Sequence, residues 1–325
     1  MRPAVSGDLG LDVIGDVHGH ADKLERLLAH MGYREHDGVW RHPERLAVFV
    51  GDLIDRGPSQ LDTVRIARSM VENGAARIVM GNHEYNAIAW ATPHPEHPGQ
   101  HLRTHRGDKG VKNRHQHRVF LDQVGEDSSE HGEIIEWFKT LPLWCDLDGV
   151  RIVHACWDPE AIELLRSCAN GENTLTPEML VASSTEGTAE FAAIETLLKG
   201  PEVKLPPGFE YLDKDDVERD HARYAWWQPD ADTYRGGVVM PEGVTAADGG
   251  EHPGMPRVAI ATKPCEPYRD AVPLFVGHYW RTGTPVVLGD HVACVDYSAG
   301  KGDPLVAYRW DGEQLLSADG FVVQP

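Results

Sequence analysis

LDVIGDVHG at residues 11–19, LAVFVGDLIDRG at 46–57, RIVMGNHE at 77–84, RIVHA at 151–155 and PLFVGHYW at 273–280 share one design. In each, a short apolar run stops at a polar residue able to hold a cation. Such a run, apolar at consecutive positions, reads as a strand buried on both faces. Open α/β sheets bind their ligands beyond the carboxyl ends of such strands. Gathered at one rim, the five ends supply Asp16, His18, Asp52, Asn82, His154 and His278. That donor set suffices for two adjacent divalent cations.

Outward from these strands, helices alternate with them. Leu24, Leu27, Leu28 and Met31 stand at i, i+3, i+4 and i+7, an amphipathic helix with Asp22 as its expected cap. A second helix is expected from Pro58 to about Glu72, with Leu61, Val64 and Val71 on one side. GNHE leads into the helical piece EYNAIAW, and HGEIIEWFKTLP at 131–142 reads as another helix. This alternation argues for βαβ construction. Residues 92–118, with His94, His97, His101, His105, His115 and His117 among prolines and arginines, read as a surface excursion. The tail reads as strands TPVVLG, HVACVDY and PLVAYRW, with SAGKGD and DGEQ as turns.

The separation of His154 from His278 far exceeds an ordinary connection. Residues 1–325 are therefore read as one domain that carries a helical and irregular insertion at 159–270, near the cleft. Its helical pieces fall near 159–168, 177–181 and 189–198, followed by an acidic run at 213–223 and a Gly/Pro-rich run at 236–256.

At 325 residues and 41% apolar composition the chain can bury a large core. Its 51 acidic against 31 basic residues, a net −20, disfavour nonspecific binding to nucleic acid. A phosphorylated substrate stays admissible, because bound cations invert the sign inside a cleft. Five scattered cysteines without a CxxC spacing suggest reduced thiols and a cytoplasmic setting. The opening residues lack a basic region followed by a long apolar stretch, so no signal peptide is expected. No eighteen apolar residues run together, so no membrane span is expected either.

The chemistry follows from the residue types. Asp16 and His18 can converge on one ion from a tight bend, and the two oxygens of Asp52 can bridge to a second. A bridge of that kind sets ions roughly 3.5–4 Å apart. Asn82, His154 and His278 complete the second ion. Mixed carboxylate, amide and imidazole donors suit Mn²⁺, Fe or Zn²⁺ better than Mg²⁺ or Ca²⁺. Water held between two such ions has a lowered pKa and can attack phosphorus in line. His83 follows Asn82 and Asp55 follows Asp52 by three positions. The pair would keep His83 protonated and aimed at the leaving oxygen as general acid. The guanidinium fork of Arg56 suits two phosphoryl oxygens. Glu84 is expected to support its loop by hydrogen bonding, Cys156 to be buried and inert, and His20 to lie in an exposed loop.

GDVHG at 15–19, GDLIDRG at 51–57 and GNHE at 81–84, followed by His154 and His278, resemble the calcineurin-like metallophosphoesterases. Within them the likeness is to the branch that holds serine/threonine phosphoprotein phosphatases and symmetrical dinucleoside tetraphosphatases. The resemblance implies two facing mixed β-sheets flanked by helices, with the metals at one edge. It places Asp16, His18 and Asp52 on one ion and Asp52, Asn82, His154 and His278 on the other. Wider-family phosphodiesterases carry GHxH, whereas position 280 is Trp, which favours the phosphatase branch.

Substrate cues diverge. YAWWQPD at 224–230 with YRGG at 234–237 looks like the protein-phosphatase stretch that carries a second phosphate-binding arginine, here Arg235. On that basis the leading expectation is a phosphomonoester hydrolase acting on phosphoserine or phosphothreonine in proteins. GHYW and CVDYSAGKGDPLVAYRW are similar to the tetraphosphatase ending, so hydrolysis of a dinucleoside tetraphosphate or another nucleotide polyphosphate is the alternative. Trp226 and Trp227 are read as packing residues, with the wall of a base pocket as the sharper option. A noncatalytic metal-binding module is the reading from another class. The partner is thus a phosphorylated protein, a small phosphorylated metabolite or a nucleotide; the oligomeric state is left open.

Overall fold

A computed structural model describes residues 9–147, 149–169, 171–213, 217–241 and 243–325. The first eight residues, on which part of the signal-peptide reading rests, lie outside the described residues, as do positions 214–216 of the acidic run.

β1 (Gly10–Ile14), β2 (Arg45–Phe49) and β3 (Ala76–Ile78) lie side by side and parallel. Helices α1 (Ala21–His30) and α2 (Gln60–Glu72) make the crossovers. β4 (Trp144–Leu147), β5 (Val150–Val153), β6 (Leu274–Val276) and β7 (Val292–Cys294) form a second sheet in the order β7-β6-β5-β4, parallel except at the β5–β4 pair. β8 (Val306–Trp310) and β9 (Phe321–Val323) return antiparallel to complete the first sheet, β9-β8-β1-β2-β3.

Side-chain alternation stacks the two sheets. Leu11, Val13, Leu46 and Val48 of the first meet Val150, Ile152, Phe275 and Ala293 of the second in one buried cluster. Ile14, Ala47 and Phe49 point the other way, into a larger core shared with Leu24, Leu27 and Leu28 of α1 and Val64 of α2. The expected sandwich of mixed sheets flanked by helices is what forms. Asp12 is fully buried, and the guanidiniums of Arg45 and Arg309 meet it at 2.8 and 3.0 Å. A buried carboxylate persists only when paired in this way.

α3 (Asn82–Ala91) begins directly after β3, and α4 (Gly107–Val124) and α5 (Ser129–Lys139) come next. α4 corrects the reading of 92–118 as wholly a surface excursion. Its buried stripe is Gly110, Asn113, His117, Phe120, Leu121 and Val124. The first three of these are not large apolar residues, so apolar periodicity cannot reveal the helix. Asp22 is not the cap of α1 either: His20 holds that position, half-buried rather than exposed, and Asp22 sits in the first turn, paired with Arg26. TPVVLG forms no strand; Val286 donates its N–H to the Tyr297 hydroxyl and Leu288 folds back on Val292.

Within 159–270, α6 (Pro159–Cys168), α7 (Pro177–Ser183) and α8 (Ala189–Lys199) stand where expected, each N-capped by Asp or Thr. The remainder of the insertion is more regular than expected. Two small three-stranded antiparallel sheets form, around a minor core of Leu205, Tyr211, Ala222 and Met255. Their strands run two to four residues, too short to register a period of two. No helix among the described residues is long and apolar enough to cross a membrane.

Candidate metal centre

The parallel strands of both sheets end at one rim. There the loops after β1, β2, β3, β5 and β6 converge, and the six donors form a continuous chain of contacts. Asp16 Oδ2 accepts from the His278 backbone N–H at 3.0 Å. His278 Nδ1 lies 2.8 Å from Asn82 Oδ1, which lies 3.2 Å from His154 Nε2. His154 Nε2 is 3.4 Å from Asp52 Oδ1, and Asp52 Oδ2 is 3.7 Å from His18 Nε2. Two clusters of potential ligand atoms result, each within 4.8 Å: His18, Asp52 and His83, and Asp52, His154 and His278. Asp52 is common to both. His83 rather than Asp16 completes the first cluster, with Asp16 beside it.

The imidazoles are aimed from behind. His18 Nδ1 bonds the Ile54 carbonyl at 2.9 Å and His154 Nδ1 the Val50 carbonyl at 2.7 Å. In both, the outer nitrogen is left facing the cluster, the orientation typical of metal-ligating histidines. Of the seven buried side-chain atoms without a hydrogen-bond partner among the described residues, two belong to this donor set, Asp16 Oδ1 and His18 Nε2. Buried polar atoms are rarely orphaned, so the pair fits a cation as the missing partner. Burial holds the His18 imidazole down at about 3, which keeps that lone pair available. Burial, with the Asp296 carboxylate nearby, pushes Asp16 well above the usual carboxylate range. Burial would also lower His154, but Asp52 and Asp16 outweigh it and lift the imidazole to about 10.

The backbone accepts unusual geometry to build this rim. His18, Asp52, Asp55, Arg56 and His278 all have positive φ, between 47° and 71°. Such conformations cost of order 1–3 kcal/mol each and persist only where surroundings hold them. At Asp52 the fully buried Glu84 supplies that hold: its carboxylate accepts the N–H groups of Asp52, Leu53 and Gly81 at 2.8–3.0 Å. The expected loop-supporting role is therefore seen. Gly51, at φ +100°, lets the two loops touch; a Cβ there would collide with the Gly81 backbone.

His83 Nδ1 contacts Asp55 Oδ2 at 2.5 Å, and its Nε2 faces the cluster, 3.8 Å from Asp52 Oδ2. Burial opposes protonation of His83, but Asp52 and Asp55 override it and raise its pKa. The second oxygen of Asp55 bonds Nδ1 of His117 at 2.8 Å. Sequence reading missed His117, because it lies on the helix taken for a loop. Arg56 stands exposed at the mouth with its guanidinium 4.1 Å from the centre of the Trp280 ring.

The insertion supplies further groups. Arg235 sits on an exposed turn with Nε donating to the Met255 carbonyl at 2.9 Å, inside the insertion itself. Arg223 is the arginine that acts on the metal loop: it depresses His278 after burial does, and lies 5.4 Å from the Tyr279 ring centre. Trp226 and Trp227 are buried, and Trp226 Nε1 donates to the Tyr279 hydroxyl at 2.7 Å, which donates to the Ala155 carbonyl. They pack, as read, and offer no wall to a base. Cys156 is buried as expected. In 92–118 no three of the histidines, among the described residues, gather as metal ligands. A separate groove, bounded by Arg68, Arg77, Glu133, Trp137 and Asp146, contains none of these donors.

Parts of the chain are similar to known proteins. An asymmetrical bis(5'-nucleosyl)-tetraphosphatase PrpE from Bacillus subtilis is 42% identical over 150 residues, 45% of this chain and 57% of that protein. A symmetrical bis(5'-nucleosyl)-tetraphosphatase from Vibrio parahaemolyticus is 28% identical over 159 residues, 48% of each chain. The chain thus spans about half the length of these curated relatives. A solved serine/threonine phosphatase from Saccharomyces cerevisiae gives a TM-score of 0.46 at 15% identity, covering 98% of this chain and 79% of that one. The family model for calcineurin-like phosphoesterases matches residues 11–176, from β1 to beyond His154. With a dinuclear metal-binding site of the phosphoesterase kind at its rim, the chain belongs to the calcineurin-like phosphoesterase family.

Proposed function

We propose that this chain hydrolyses a nucleotide polyphosphate, a dinucleoside tetraphosphate foremost, and not chiefly phosphoproteins. The observation that carries this reading is the identity of the two curated relatives, both dinucleoside tetraphosphatases. It reverses the ranking drawn from sequence. The phosphoprotein reading leaned on Arg235, and that side chain is engaged within the insertion. In this reading residues 1–325 act as one domain and the insertion at 159–270 borders the entrance to the rim.

Asp16, His18 and Asp52 would hold one ion, and Asp52, Asn82, His154 and His278 the other, with Mn²⁺ foremost and Fe or Zn²⁺ sharing the donor preference. Bound there, the ions supply Lewis acidity and a lowered pKa for coordinated water. The chain's own residues do the rest. Arg56 grips phosphoryl oxygens from the mouth, and Arg223 takes the place expected for Arg235 as second grip. His83 carries a proton on Nε2, delivered to the leaving oxygen as the P–O bond breaks, while Asp55 holds the ring from Nδ1. His117 fixes Asp55 in turn.

A substrate panel on metal-loaded protein tests the reading: a dinucleoside tetraphosphate, a phosphopeptide, an aryl phosphomonoester and an aryl phosphodiester. The tetraphosphate should show the highest kcat/KM. A phosphopeptide in first place would restore the ranking drawn from sequence.

A further inference from the structure

The loop SAGKGD at 298–303 has no part in the metal chemistry, yet it is built against it. Lys23 Nζ ties it down from below, donating to the carbonyls of Ala299 at 2.9 Å and Asp303 at 2.7 Å. Asp296, buried, accepts the N–H of Ser298 at 3.0 Å and that of Trp280 at 2.7 Å, so one carboxylate joins this loop to the metal-bearing loop after β6. Gly300 is pressed so close to the site that a Cβ would stand 2.8 Å from both Arg56 Cδ and His18 Cδ2. The loop cannot retreat without giving up these contacts.

The loop delivers a second cation. Lys301 Nζ lies 4.2 Å from the centre of the Trp280 ring, and the Arg56 guanidinium lies 4.1 Å from the same point. Trp280 itself stacks on His18, at 5.4 Å between ring centres and 22° between planes. One half-buried indole therefore carries two cations at the lip of the metal centre. Gathered on one ring in a chain of net charge −20, they make a local field suited to an anion with more than one charged group. Their chemistry also differs: a guanidinium fork clasps one phosphoryl group, whereas an ammonium acts as a point charge on its neighbour.

We propose that Lys301, which shares the Trp280 ring with Arg56, forms a subsite for the phosphoryl group next to the one being cleaved, so that the site favours polyphosphate chains over phosphomonoesters. This rests on the proposed function and deepens it. A monoester engages the metals, Arg56 and Arg223 and leaves Lys301 unused. A polyphosphate engages Lys301 as well.

The test compares wild type, Lys301→Ala, Lys301→Glu and Lys301→Arg, all metal-loaded and checked by circular dichroism. The ratio of kcat/KM for a dinucleoside tetraphosphate to that for an aryl phosphomonoester should fall about tenfold in Lys301→Ala, as for one lost charge-assisted contact. It should fall further in Lys301→Glu and recover in Lys301→Arg. An unchanged or rising ratio overturns the subsite. Calorimetric binding of inorganic tripolyphosphate to wild type and Lys301→Glu provides a readout free of turnover; equal affinities overturn it too. If wild type ignores the tetraphosphate yet binds tripolyphosphate through Lys301, the functional reading fails and the subsite stands.

Discussion

The rim at residues 15–84 and the insertion at 159–270 hold their polar side chains in different ways. At the rim and the strand ends beside it, main chain braces the site: Ile54 and Val50 carbonyls orient His18 and His154, and three backbone N–H groups are gathered by Glu84. In the insertion, side chains such as Arg235 and Arg219 are exposed, and their partners belong to the insertion. The difference is one of tolerance. A buried polar network leaves a charge or donor uncompensated when one member is lost. An exposed pair loses little. Chemistry should therefore break sharply at the rim, and the insertion should alter recognition by degrees.

The largest expected effect is at Asp52, the one residue common to both ligand clusters. Asp52→Ala should lose metal by elemental analysis and reduce turnover on the order of 10³-fold or more. Two ions retained per chain would contradict the shared ligand. His83→Ala comes next. It should leave metal bound but cut turnover of substrates with poor leaving groups by about 10²–10⁴. The loss should shrink for an aryl phosphate, whose leaving oxygen needs less help. Undiminished turnover of an alkyl phosphate would remove His83 from the acid role.

These two residues were readable from sequence because each closes an apolar run that could only be a buried strand. His117 was not. Its helix buries Gly110, Asn113 and His117 along one stripe, a pattern that looks polar until Asp55 is seen beneath it. The insertion's sheets were hidden by brevity. Arg235 was read as a site residue through the likeness of YRGG to another motif; in the fold its Nε bonds the Met255 carbonyl, and Arg223, on the strand His221–Tyr224, is an arginine that acts on His278.

That exchange can be tested directly. Arg223→Ala should raise KM for phosphorylated substrates by about tenfold, the scale of one charge-assisted hydrogen bond. Arg235→Ala should stay within about twofold, as exposed surface contacts do. The opposite pattern would return the second grip to Arg235 and place the insertion's turn over the rim.

The smallest effect concerns how the rim tolerates acid. Burial opposes ionisation of Asp55, but His117 and His83 override it and hold its carboxyl below the ordinary range. A carboxyl whose folded pKa lies under its unfolded value stabilises the fold above the unfolded value, about 3.9, and that stabilisation fades as pH falls through the folded one. His83 runs the other way: its pKa is raised, so its share is complete below about 6.5 and is lost as pH climbs through the folded value. Asp55→Asn should therefore flatten both limbs of the pH–stability curve in chelated protein. The gap from wild type should be widest between these limbs, a few degrees in Tm by scanning calorimetry, at about 2–4 °C per kcal/mol. A gap that stays constant from about pH 3 upward would mean that Asp55 is held by packing alone, and the contrast between a charge-locked rim and a loosely paired insertion would lose its physical basis.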